Sequence, residues 1–147
     1  MKSITLGFLT LLFLCLVAAQ AAADEPKEPG LHQKLVGTWK LVAAKYGGEE
    51  FQFPEGTTMV KHVTPTHFMW ATYGEDGTVS RTAGGTYTLE GDQYKESVLY
   101  GMGGDFNVIK GQTHTFQCEI DGITWRHNGK LANGLTIEEE WMRLEKE

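Results

Sequence analysis

Three ionisable residues, His114, His127 and Glu139, fall where each shares a strand face with large apolar side chains. His114 alternates with Phe116, Cys118 and Ile120 against Thr113, Thr115, Gln117 and Glu119. His127 follows Ile123 and Trp125 at the same spacing, and Glu139 keeps step with Leu135, Ile137 and Trp141. Successive side chains of a strand point to opposite faces, so each of these groups is expected to look inward with its apolar companions. Tyr87, in step with Leu89, and Tyr100, in step with Tyr94 and Val98, add phenol hydroxyls to the same interior. Imidazoles with a carboxylate suit zinc or proton transfer. His114 and His127 lie across a hairpin with nothing in the spacing to fix their separation, so neither a metal nor another cofactor is assigned. A few polar groups in an aromatic interior better suit the orientation of a small, mostly apolar molecule. The candidate ligand-binding residues are therefore Tyr87, Tyr100, His114, Phe116, Trp125, His127, Glu139 and Trp141. The alternative is a filled barrel in which these groups satisfy one another, with a structural or protein-interaction role.

Catalytic signatures are otherwise missing: the chain has no Gly-x-Ser-x-Gly, no His-Glu-x-x-His and no phosphate loop. Gly101-Met102-Gly103-Gly104 is not followed by the helix and Lys that a phosphate cradle needs, so it is read as a loop. Cys118 is assigned as a small interior hydrophobe rather than a nucleophile.

The elements that must position these residues are short strands separated by turn chemistry. The first is Leu35 to Val42, with Leu35, Gly37, Trp39, Leu41 and Ala43 on one face. Runs follow at Thr58–Thr64, His67–Tyr73, Thr78–Ala83, Thr86–Glu90, Tyr94–Tyr100, Gln112–Ile120, Ile123–Asn128 and Leu135–Leu144, with Phe106–Ile109 as a further short strand. Asp121-Gly122 joins the clearest hairpin and suits a type I′ turn. Roughly eight to ten short strands with tight turns predict an all-β, antiparallel up-and-down barrel, closed so that no edge is left unpaired. Leu31 to Lys34 adds one helical turn as a cap.

Gly37-Thr38-Trp39-Lys40-Leu41-Val42, the intervening strands and the closing Glu140-Trp141-Met142-Arg143-Leu144 resemble the calycin β-barrels, the lipocalins and fatty-acid-binding proteins. The resemblance implies that Trp39 plugs one barrel end, with Gly37 beside it and Arg143 packed across the indole. The two helices that fatty-acid-binding proteins place after the first strand do not fit the short gap here. Lys61 to Trp70 also resembles bacterial secreted proteins with lipocalin-like domains, a likeness that carries no activity.

Residues 1–23 combine Lys2, an apolar run from Leu6 to Ala19, and Ala21-Ala22-Ala23, the three-part pattern of a cleaved secretory signal. That run is shorter than the roughly 20 residues of a membrane-spanning helix. The expectation is an exported protein, periplasmic or secreted, with no membrane span after cleavage. Residues 24–34 form a polar leader and residues 35–147 a single barrel domain. Without Lys2, 12 Lys and Arg stand against 19 Asp and Glu, a formal charge of −7, which argues against nucleic acid as a partner. After residue 23 only Cys118 remains, so no intrachain disulfide can form.

Overall fold

The computed structural model describes residues 30–104 and 106–144. The expected signal segment and most of the expected leader lie outside them. A short helix α1 (Leu31–Leu35) precedes β1 (Gly37–Tyr46), β2 (Glu49–Glu50), β3 (Thr58–Val63), β4 (His67–Tyr73), β5 (Val79–Glu90) and β6 (Gln93–Met102). A second helical turn α2 (Phe106–Ile109) leads to β7 (Thr113–Asp121), β8 (Thr124–Lys130) and β9 (Thr136–Arg143). Eight strands pair with their neighbours in chain order, all antiparallel, and β9 returns to β1. The two-residue β2 is an extra strand folded back on the end of β1. The expected up-and-down barrel is the observed one.

Closure is organised at one end by Trp39. Its indole is fully buried and its Nε1–H donates to the Leu35 carbonyl at 2.9 Å, which ties α1 across the barrel mouth. Arg143 lies over the other side of the ring, 4.1 Å from its centroid, and donates to the carbonyls of Val36 and Lys34. A side chain at Gly37 would collide with that guanidinium, which is the space the small residue leaves. His32 of α1 contacts the Pro65 carbonyl, and the Tyr87 hydroxyl donates to the Thr64 carbonyl at 2.8 Å, so this end is sealed by polar contacts as well as apolar ones. Behind the seal, Leu41, Val63, Phe68, Ala83, Tyr94, Cys118 and Trp125 fill the barrel.

Four sequence expectations are corrected. The runs Thr78–Ala83 and Thr86–Glu90 are one strand, β5, continuous through Gly84-Gly85. Phe106–Ile109 is a helical turn, not a strand: Lys110 donates to the Phe106 carbonyl at 2.8 Å, and the three-residue spacing turns Phe106 and Ile109 to one side, against the core. The β7–β8 turn is Gly122-Ile123, and only Gly122 has positive φ (56°), so it is of type II′ rather than type I′. Ala43 faces outward, because Val42 is an extra residue between the Leu41–Trp141 and Ala43–Glu140 pairs, and such a bulge reverses parity beyond it. Ala44 and Tyr46 take the inward positions.

Candidate functional site

The half of the barrel opposite Trp39 is hollow. A cavity of about 340 Å³ is walled by Met59, Trp70, Val98, Phe116, Ile137 and Trp141, and bounded toward the open end by Tyr46, Phe51, Arg81, Leu131 and Leu135. Phe106 and Ile109 of α2 close one side of it. The interior is thus packed at one end and open at the other, and the boundary between the two is polar.

Two buried carboxylates define that boundary. Glu96 of β6 accepts from Lys61 Nζ of β3 and from the Tyr94 hydroxyl, each at 2.8 Å. The Lys61 ammonium is 4.8 Å from the Trp141 ring centroid and 5.0 Å from that of Trp125, so aromatic faces as well as Glu96 stabilise its charge. Glu139 of β9 accepts from Tyr46 at 2.9 Å through Oε1, and through Oε2 from His127 Nε2 at 2.6 Å and Trp141 Nε1 at 3.1 Å. His127 is held flat against Phe116, with centroids 4.6 Å apart and planes 12° apart. His114 also lines the cavity, but neither of its ring nitrogens has a protein partner, and His127 Nδ1 has none either.

Burial and pairing set the charge of these groups. Burial pushes the Glu139 carboxyl up, but His127, Lys61 and Tyr46 more than offset it and hold its pKa down at about 2. Burial lowers the pKa of His114, with Glu96 pulling weakly the other way, so His114 is neutral at neutral pH. Burial pushes the Cys118 thiol up to about 11, which leaves no thiolate for nucleophilic work.

These shifts dictate an acid-labile fold. In the unfolded chain Glu139 titrates near 4.5, so its contribution, on the order of 3 kcal/mol, is complete above that pH and is lost as pH falls toward 2. His114 acts earlier in the same direction, because the unfolded chain takes up its proton from about pH 6.5 downward before the folded one does. Urea midpoints measured from pH 7.5 to 3 should fall throughout, and Glu139→Gln should flatten the limb below pH 4.5. A midpoint that rises on acidification would refute the assignment.

Of the sequence candidates, the structure brings His114, Phe116, His127, Glu139 and Trp141 to one cavity. Trp125 is fully buried behind it, with its ring centroid 5.5 Å from that of Trp39. Tyr87 is not part of the lining: it sits in the packed half with its hydroxyl tied to the Thr64 carbonyl. Tyr100 is on the outer surface, 48% exposed and lying across Gly84, because Leu99 is an extra residue between the Gly84–Tyr100 and Gly85–Val98 pairs. Tyr46, Lys61, Arg81 and Glu96 are the polar lining residues missed from sequence. Glu96 had a signal, since it falls between Tyr94 and Val98 on a face already assigned inward. Among the described residues no group of three or more His, Cys, Asp or Glu is placed to hold a metal ion, and no helix is long and apolar enough to cross a membrane. A second, more open groove of about 1000 Å³ runs along β1, β8 and β9, where Lys45, Glu50, Arg126, Lys130, Glu138 and Glu140 stand beside Val42, Phe51 and Phe53.

No curated protein matches the sequence. Among solved structures, a lipocalin-like protein from Bacteroides uniformis superposes with a TM-score of 0.53 at 16% identity, over 76% of this chain and 99% of that one. A redesigned β-barrel superposes with a TM-score of 0.50, also at 16% identity, over 78% of this chain and 95% of the other. At such identity the likeness concerns the fold. The family model described as "Lipocalin-like domain" matches residues 35–139, from Leu35, whose carbonyl accepts from Trp39, to Glu139 at the cavity floor. The chain therefore belongs to the lipocalin-like domain family.

Proposed function

We propose that the protein binds a small, mostly apolar molecule in the hollow half of its barrel. The observation that carries this reading is the cavity itself, about 340 Å³ with aromatic and aliphatic walls and two histidines whose ring nitrogens are not all used by the protein. Ligand sites commonly occupy about 300–1,000 Å³ and combine apolar walls with a few orienting polar groups. The pattern of residues 1–23 supports reading this binding as one outside the cytoplasm, in the periplasm or the medium. Binding by this route suits a carrier or scavenger more than an enzyme, since both carboxylates are engaged by protein donors.

Trp70 and Trp141 line the cavity and report on it. Titration with small aromatic compounds and with medium-chain fatty acids should quench or shift their emission. Native mass spectrometry of protein purified from its own source should find a retained small molecule. Absence of both would overturn the proposal and favour a structural or protein-binding role.

A further inference from the structure

The donors and acceptors at the cavity floor restrict what kind of molecule can be held there. The floor donors Lys61 Nζ, Tyr94 Oη, Tyr46 Oη, Trp141 Nε1 and His127 Nε2 all point at a carboxylate of the protein itself. A ligand carboxylate would have to compete with Glu96 and Glu139 for those groups and would bring a third negative charge beside them. Removing a charged head from water without a matched donor set is strongly unfavourable.

The groups left over have the opposite bias. His127 directs Nε2 at Glu139 and leaves Nδ1 without a protein partner. His114, kept neutral by burial, has one donor and one acceptor, both without protein partners. A half-turn of its ring exchanges nitrogen and carbon positions without changing its shape, so either edge can be presented to the cavity. The free acceptor of His114 calls for a ligand N–H or O–H and its free donor for a ligand oxygen or nitrogen, and one hydroxyl or amino group can meet both. The flat surfaces of Phe116, Trp70 and Trp141 call for a ring. Arg81 also lines the cavity, with its guanidinium 5.9 Å from the Phe51 ring centroid and its Nε–H on the Thr72 hydroxyl, and it is the one cation there not paired with a carboxylate among the described contacts, so it is the group an acid would have to use.

From this we infer that the ligand is a neutral aromatic molecule bearing a hydroxyl or amino donor, held by His114 and His127, and not a carboxylate-headed lipid. This inference rests on the interior-binding reading above and narrows it. The test uses 2-naphthol, 2-methoxynaphthalene, 2-naphthoate and decanoate, titrated against the purified full barrel by calorimetry and tryptophan emission. 2-Naphthol should bind at least roughly tenfold tighter than its methyl ether, which lacks the donor, and tighter still than the two acids. His114→Phe should retain binding of the methyl ether and lose most of the preference for the naphthol. If that variant does not fold, imidazole ¹⁵N shifts of the unmodified protein should move at His114 on addition of 2-naphthol and stay put with decanoate. Equal or tighter binding of 2-naphthoate or decanoate, above all if lost in Arg81→Gln, would overturn the inference while leaving interior binding intact. Binding of none of the four probes would overturn both.

Discussion

Trp39→Ala is expected to cost roughly 3–5 kcal/mol, the range for emptying a buried aromatic site. A domain of this size has only about 5–15 kcal/mol in total, so the variant should sit near its unfolding threshold. The large value follows from what the indole joins: the Leu35 carbonyl of α1 through its N–H, Trp125 through its edge, and Arg143 through its face. Arg143→Ala should cost less, about 1–3 kcal/mol, because the guanidinium is half-buried and its hydrogen bonds go to carbonyls that water can reach once it leaves. The two residues share one contact, so the double variant should be less destabilised than the sum of the singles. Urea unfolding of the three variants would measure this. A larger loss from Arg143→Ala than from Trp39→Ala would mean that the guanidinium, not the indole, carries the seal.

The residues of that seal were legible through the resemblance that Gly37-Thr38-Trp39 and Trp141-Met142-Arg143 bear to the calycin barrels. The β7–β8 hairpin was legible for a different reason: its alternation is unbroken from His114 to Ile120 and again from Trp125 to His127, so parity alone turned Phe116, Cys118 and Trp125 inward. Parity failed at Ala43 and Tyr100, each just past a bulge. A bulge is a property of two strands at once, and the alternation of one strand does not disclose that its partner is a residue short. Lys61 was hidden differently. Its strand alternates Met59, Lys61 and Val63 with Val60 and His62, so neither face is plainly the polar one, and a lone lysine reads as solvent-facing. Only the pairing of β3 across the barrel from β6 brings Glu96 within 2.8 Å and makes the inward choice consistent.

That buried pair sets the second large effect. Lys61→Met is expected to destabilise the barrel by roughly 3–5 kcal/mol, since it leaves Glu96 buried with Tyr94 as its one remaining donor. The loss should come from the stranded carboxylate rather than from the missing attraction, and the two explanations part company in the double variant. Replacing both partners, Lys61→Met with Glu96→Leu, removes the charge that would be stranded and lets apolar volume fill the space between Phe68, Trp125 and Trp141. Stability should then return to within about 1–2 kcal/mol of the parent, as buried pairs exchanged whole for apolar groups commonly do. The same double variant should bind apolar rings at least as well as the parent, because the floor of the cavity loses one carboxylate and its ammonium while Glu139, His114 and His127 stay in place. If the double variant were as unstable as Lys61→Met alone, the ammonium would be supporting its other neighbours directly. The cation–π contacts to Trp125 and Trp141 and the attraction to Glu139, rather than the pair with Glu96, would then dominate at the cavity floor.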